Sequence, residues 1–541
     1  MIFVRNLFFD MKYIRCILFT LMMSLCCNMA SAQLLSQETL KIARTLGLIG
    51  NYYVDSVNMK EITEKAIIGM LHDLDPHSSY IPADEAEETN EQLNGNFDGI
   101  GIQFNVLHDT IIVIETIPGG PSEKVGLKAG DRIVYIDSEN VAGIKISTTD
   151  VRKRLMGPKG SKVNVRIARK DEKKLLDFTI TRDKIPLESL ESAYMLTKDI
   201  GYFKFNKFAA TSDDEFITAI NKLKSQGMKN VVVDLRNNGG GIMTAATKML
   251  NHFFSDKKMM VYMEGQNTPR QEYISSGTGD LSDANVVVLV NENSASASEI
   301  FSGAIQDWDR GVIVGRRTFG KGLVQGQFQL TDGSVIRLTV ARYYTPTGRS
   351  IQSPYDDGYE KYIENYYKRF VDGELTSSEN VNMPDSLKYN TLVNKRAVYG
   401  GGGIYPDVFV PVDTVGYSDY YGSLNRKGLF NSFVLDYADK NRDVIKSKFK
   451  TFADFKERFS FSDADIQEFI KMAEDAGVKY DEEQYLISKK QILMVLKALV
   501  ANHLWQTNEY YMIINDFDTA VEAAIQVLSD KETYAKLLNG Q

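Results

Sequence analysis

Residues 291–309 (NENSASASEIFSGAIQDWD) set three serines, Ser294, Ser296 and Ser298, two residues apart at the start of a helical pattern. Ile300, Phe301, Ala304, Ile305 and Trp308 share one face of that helix, so the serines crowd its N-terminus. A helix N-terminus offers unpaired N–H groups and a positive dipole end, which stabilise an oxyanion or a serine alkoxide. The same residues also suit plain capping, with Glu299 completing a capping box. A serine nucleophile needs a base. The five histidines are His72, His77, His108, His252 and His503, and none stands in a glycine-rich turn beside a strand end. His72 and His77, with Asp73 and Asp75, invite a metal reading, but Pro76 there simply stops a helix. Lysine remains. In residues 315–325 (GRRTFGKGLVQ), Phe319, Leu323 and Val324 could desolvate Lys321, lowering its pKa until it accepts a serine proton. Gln325, an even number of residues on, would share a face with Lys321 and orient its amine. Taken alone, Lys321 also reads as a solvated turn lysine. The Gly315–Lys321 spacing mimics a phosphate-binding loop, but Gly322 stands where Ser or Thr would hold magnesium, and a strand rather than a helix follows.

These residues need strands to carry them. Residues 230–235 (NVVVDL) and 285–290 (NVVVLV) are short β-branched runs, each followed by a turn and an amphipathic helix. Such runs read as buried parallel strands of an α/β core between residues 183 and 415. Residues 355–399 are polar and rich in Tyr, Asn and Ser, an inserted surface excursion. Glycine-punctuated strands fill residues 96–182, with one helical window at 148–156. Residues 33–95 are expected to be helical, with Ile62, Ala66, Ile67, Met70, Leu71 and Leu74 on one buried face. Residues 416–541 are helical again, with an apolar stripe at Leu493, Met494, Leu496, Leu499 and Val500.

The chain has 541 residues and a net charge of −8, which offers no basic field for nucleic acid. An apolar stretch at 16–30, preceded by Lys12 and Arg15 and closed by Ala30-Ser31-Ala32, reads as a signal peptide over residues 1–32, starting at Met1 or Met11. All three cysteines, Cys16, Cys26 and Cys27, fall inside it, so the mature chain has neither disulfide nor thiolate chemistry. Three basic residues and one acidic residue leave with it, taking the net charge to −10. The expected location is a bacterial periplasm or cell envelope, with association with the membrane as a further expectation.

The motifs coincide with a family. SASASEIFSGAIQD, VIVGRRTFGKGLVQGQFQL, YYTPTGRSIQ and GGGIYPDV, together with LDPHSSYIP, GNFDGIGIQF, IPGGPSEKVGLKAGDRIVYID and VVVDLRNNGGG upstream, resemble the carboxy-terminal processing (tail-specific) serine proteases over roughly residues 35 to 412. The resemblance implies an α/β serine-protease core with an inserted β-rich PDZ domain, flanked by N-terminal helices and a helical C-terminal region. It implies Ser296 as nucleophile, Lys321 as general base and Gln325 as its orienting partner, with the N–H groups of Ala297 and Gly241 as the oxyanion hole. Asn293 stands where many members carry glycine. The PDZ module would take a substrate's C-terminus on Gly99, Ile100, Gly101 and Ile102, with Val151 and Leu155 facing its apolar residues. No metal or organic cofactor is implied. Expected substrates are exported proteins or peptides with flexible, apolar C-terminal tails, and an adaptor or a homo-oligomer is a further possible partner. The competing reading is a non-catalytic PDZ scaffold that presents tails to another enzyme. Loss of Ser296, Lys321 or Gln325 would favour it, and all three are present.

Overall fold

The computed structural model describes residues 36–540 apart from 171, 382 and 384, and the signal-peptide reading at 1–32 lies outside these. The chain divides after Asp73 into two compact units. In the first, α1 (Gln37–Tyr52) is capped by Ser36 and α2 (Met59–His72) by Asn58. Of the apolar face expected on α2, only Leu71 is buried, and Met70 is 47% exposed. Two short helices offer each other too little surface to cover both apolar stripes.

Near the start of the second unit stands Asp75, whose carboxylate accepts from the N–H groups of His77 and Ser78 (2.8 Å each) and from Ser78 Oγ (2.6 Å). A strand expected to be helix follows, β1 (Ser79–Ile81), and then α3 (Ala83–Asn94) and β2 (Asn96–Gly99). The PDZ-like module is a sheet of β3 (Ile102–Leu107), β4 (Thr110–Thr116), β5 (Arg132–Ile136), β6 (Glu139–Asn140), β7 (Lys162–Ala168) and β8 (Leu176–Thr181). Two helices accompany it, α4 (Pro121–Val125) and α5 (Thr148–Leu155). Strand order is β3-β4-β5-β7-β8, so β3 is an edge, and alternate residues such as Val163, Val165 and Ile167 fill the core. The chain leaves the module through β9 (Asp183–Pro186), which pairs antiparallel with β2, so entry and exit form one two-stranded stem.

The core sheet runs β10 (Leu190–Met195), β11 (Ile200–Phe205), β12 (Asn230–Asp234), β15 (Asn285–Val290), β16 (Val312–Gly315) and β21 (Val408–Phe409), parallel from β11 onward. Its strands are apolar on both faces, as expected for a sheet covered on two sides. Val231, Val233, Val286 and Val288 meet α6 (Ser212–Ser225), α7 (Met243–Asn251) and α8 (Ala297–Asp307), whereas Val232, Val287 and Leu289 face the other way. A second sheet joins β13 (Met259–Gly265), β14 (Thr268–Ile274), β17 (Leu323–Gln329) and β18 (Val335–Tyr344), with β1 on the edge of β18. Beyond it, α9 (Tyr359–Val371) folds back over the 317–320 loop: Arg369 donates to the Thr318 carbonyl (2.9 Å) and Tyr366 packs on Phe319. Residues 355–399 read as a surface excursion; their helix is largely exposed, Val371 at 84%, but the buried Arg369 and Tyr362 pin it to the protein. The β19 (Lys388–Asn390) and β20 (Ala397–Tyr399) pair ends the segment.

Next, α10 (Asp419–Arg426), α11 (Leu429–Lys448), α12 (Phe452–Arg458), α13 (Asp463–Asp475) and α14 (Glu482–Leu504) enclose their own aromatic core around Phe433, Phe455 and Phe469. Leu496 and Val500 of the expected stripe lie inside it. One face of α11 meets the PDZ-like module through Asp436–His108, Asp439–Arg132 (2.6 Å) and Asp443–Lys170. Then α15 (Thr507–Ile514) still packs on this bundle with Ile513, whereas α16 (Thr519–Ser529) and α17 (Lys531–Leu538) leave it and cover the second face of the core sheet with Val521, Ala524, Leu528 and Tyr534. The core layer therefore does not end near residue 415.

Candidate active site

Three neighbouring parallel strands, β12, β15 and β16, end at the same edge of the sheet, with Asp234 beside Leu289 and Val290 beside Gly315. The turns that follow them therefore meet, in the crevice at the carboxyl ends of the strands where α/β proteins place their sites. These turns are LRNNGGG, NENSASAS and GRRTFGK, which are far apart in sequence. Buried charge braces the first: Asp234, with no exposure, is bonded by Tyr202, Lys204 and Arg236, and Arg236 reaches Asp518 at the start of α16 (2.7 Å). Burial works against the Asp234 charge, yet Arg236 and Lys204 hold its carboxyl well below the usual range.

The serines divide their duties. Ser294 Oγ donates to the Leu235 carbonyl (2.8 Å) and Ser298 Oγ to that of Asn238 (2.9 Å), tying the first two turns together. Ser296 is held through its main chain instead, at φ 55° and ψ −112°, a conformation a non-glycine residue rarely adopts. Its N–H donates to Glu299 Oε2 (2.8 Å), and its carbonyl accepts from the N–H groups of Glu299 and Ile300. Asn293 joins the same assembly: its amide donates to Asn237 Oδ1 (3.0 Å) and its Oδ1 accepts from Tyr366.

Lys321 lies just before β17, its amine donating to Gln325 Oε1 at 3.0 Å. Burial first, and the Arg337 cation second, push the Lys321 ammonium below its ordinary value, against the pull of Glu299 and Asp75. Gln325 Nε2 is buried and has no partner among the described residues. Beside them His77 accepts or donates with Tyr362 Oη (3.1 Å), and burial and the Lys321 charge pull its imidazole down to about 4, against Asp75. The Ala297 and Gly241 N–H groups are taken up by no protein acceptor among the described residues. Gly240 abuts the serine turn so closely that a Cβ on it would stand 3.0 Å from Ala297 N.

Residues 199–359 match the model of peptidase family S41, and residues 99–180 match a PDZ domain. The chain carries a peptidase S41 domain preceded by a PDZ domain. Residues 24–85 match the N-terminal domain of the activating protease CtpB, and residues 420–506 match a family of unknown function. The chain is 35% identical over 317 residues to a probable CtpA-like serine protease of Staphylococcus haemolyticus, covering 58% of this chain and 63% of that one. It is 33% identical over 313 residues to the Staphylococcus aureus protein of the same description, covering 58% and 62%. It thus spans less than two thirds of the curated relatives it matches. Among solved structures, the photosystem II D1 C-terminal processing protease is 28% identical, covering 59% of this chain and 90% of its own, at a TM-score of 0.32.

The PDZ residues fall less neatly. Gly99 pairs with Asp183 in the stem, and Ile100 is buried, with its carbonyl taken by Ser122 N–H (3.0 Å) and Oγ (2.6 Å). Gly101, at φ 73°, turns the chain into Ile102 at the start of the free edge of β3. Val151 and Leu155 are 0% and 4% exposed inside the PDZ core, so as placed they offer no surface to a peptide. Their one-turn spacing marks a buried helix face but not whether a groove or a core lies against it. Residues 291–325 also contain what sequence reasoning undervalued. Glu299 reads in the sequence only as a capping residue, whereas Tyr343, Arg337 and Tyr362 give no local signal.

Proposed function

We propose that this S41 chain is a serine endopeptidase that cuts exported proteins near their C-termini with a Ser296–Lys321 dyad, in a bacterial periplasm or envelope. The observation that carries the reading is the state of Lys321: a desolvated amine, bonded to Gln325, on a loop tied to the main chain of a serine at the N-terminus of a buried helix. In the proposed cycle neutral Lys321 takes the Ser296 proton as Oγ attacks the scissile carbonyl. The Ala297 and Gly241 N–H groups then bind the tetrahedral oxyanion, and the start of α8 adds its dipole. Lys321 returns its proton to the leaving amine, and water attacks the acyl-enzyme under the same base. Gln325 Oε1 fixes one Lys321 N–H and so aims the nitrogen lone pair. The PDZ domain holds the substrate's C-terminus against the β3 edge, raising the effective concentration of the tail at the serine.

The test is incubation of the protein and its Ser296→Ala variant with an unfolded polypeptide bearing an apolar tail, with fragments mapped by mass spectrometry. Cleavage by wild type alone, beginning near the tail, is expected. Tail binding without cleavage by either form would favour the scaffold, and equal cleavage by both would refute the serine assignment.

A further inference from the structure

A carboxylate with no exposure and no cation bonded to it is unfavourable unless donors replace the lost water. Glu299 is such a group: it is 0% exposed, and none of the ion pairs of the described residues includes it. Its Oε1 accepts from Thr318 Oγ1 (2.6 Å) and Gly320 N–H (2.7 Å), and its Oε2 from Lys321 N–H (2.9 Å) and Ser296 N–H (2.8 Å). Burial pushes the Glu299 carboxyl above its ordinary value, and the four bonds work against that by matching the four lone-pair positions of a carboxylate. A helix cap would need one of these bonds. The other three go to the lysine loop.

One oxygen therefore holds the main-chain nitrogens of both Ser296 and Lys321, and the two can be no further apart than the sum of those two bonds. The opposite side of the same pair is closed by Tyr343, whose hydroxyl lies 2.7 Å from the Lys321 carbonyl and 3.1 Å from the Ser296 carbonyl, donating between them. The strained Ser296 is thus gripped on its N–H by Glu299 and on its C=O by Tyr343. Strain of this kind persists only where the surroundings over-determine it.

We propose that Glu299 is a positioning residue: with Tyr343 it fixes the separation of Ser296 and Lys321 and holds the strained serine in its reactive conformation. The proposal rests on the Ser296–Lys321 reading above. The Glu299 charge has a second effect, since it pulls the Lys321 proton affinity up against burial. Position and proton affinity can therefore be separated by experiment.

Glu299→Gln keeps the shape but turns an NH2 group toward donors. Its kcat is expected to fall about 100-fold, because sub-ångström to 1 Å misplacement of a reacting pair has that effect, while KM and tail-peptide affinity stay within about threefold. The acid limb of its pH–rate profile is expected to move to lower pH, because Lys321 loses a neighbouring negative charge. Tyr343→Phe removes the carbonyl bridge without changing charge, so its kcat is expected to fall about tenfold with no shift of the limb. Labelling by a fluorophosphonate, located by mass spectrometry, reads Ser296 directly in the full chain. Label on another residue of wild type would overturn the dyad reading, and this proposal with it. Label on Ser296 in wild type and in Glu299→Gln at equal rates would overturn the positioning role alone. A fall in kcat matched by a fall in the folded fraction, with an unmoved limb, would also overturn it. If Glu299→Gln does not fold, Tyr343→Phe decides by the same labelling rate.

Discussion

Replacing Gly240 by alanine tests how tightly the oxyanion turn is set against the serine turn. A Cβ at Gly240 would stand 2.8 Å from Ser296 Cβ, 2.7 Å from the Ala295 carbonyl oxygen and 3.0 Å from Ala297 N. Carbon atoms in ordinary contact are roughly 3.5–4.0 Å apart, so one turn must retreat by about 0.7–1.2 Å. Two of the three crowding atoms are backbone, and Ser296 is gripped from both sides, so no side-chain rotation relieves the clash. Gly240 also sits at φ +100°, where a side chain adds about 1–2 kcal/mol of strain. A shift of 1 Å in a reacting pair lowers the rate about 100-fold, close to 2.7 kcal/mol of barrier. The assay is kcat on a fluorogenic peptide, with thermal unfolding and tail-peptide binding as controls for the fold. Gly239→Ala is the matched comparison: nothing lies within 4 Å of its Cβ and its φ is not left-handed, so kcat should change less than about threefold. Gly240→Ala with wild-type kcat, or Gly239→Ala with an equal defect, would refute the reasoning.

Two further outcomes follow from the charges. Arg337→Gln removes a cation that depresses the Lys321 proton affinity. In the proposed mechanism the unprotonated amine is the active form, so the acid limb of kcat/KM should move to higher pH, opposite in sign to Glu299→Gln, and an unmoved limb would disconnect Arg337 from the base. At the PDZ contact with α11, Asp439→Arg should destabilise and the swap Arg132→Asp with Asp439→Arg should restore. The coupling energy expected in a urea double-mutant cycle is about 0.5–1 kcal/mol at low salt, fading by 0.5 M, since the pair is partly exposed. A coupling that survives high salt would mean that packing, rather than charge, holds that contact.

Much of this was legible in the sequence. The apolar runs of β12 and β15 announce strands buried on both faces, and the turns after them carry the glycines and serines that meet in space. The order of the motifs suffices for that, because parallel strands deliver their C-terminal ends to one edge. What stayed hidden depends on partners distant in the chain. Glu299 looks like a capping residue until Thr318, Gly320 and Lys321 are brought to it, and Arg369 looks like a surface charge on a polar excursion until it finds the Thr318 carbonyl. The spacing of Val151 and Leu155 is the same whether the helix faces a groove or a core. Local periodicity records which side of a helix is apolar and is silent about what covers it. The same silence made α16 and α17 indistinguishable from the α10–α14 bundle before them.

That last layer bears on how the molecule comes into being. The strands that carry the serine and lysine turns are complete at residue 315, but α16 and α17, ending at residue 538, supply the cover for one whole face of their sheet. Synthesis proceeds at roughly 5–20 residues per second, so the roughly 220 residues between take about 10–45 s to emerge. Through that interval Val232, Val287 and Leu289 have no lid, and Arg236, beside the oxyanion turn, lacks Asp518. The LRNNGGG turn, which precedes the serine turn by more than fifty residues, thus receives its Asp518 brace only when α16 has emerged, and the proposed site is finished by a helix made long after its own residues.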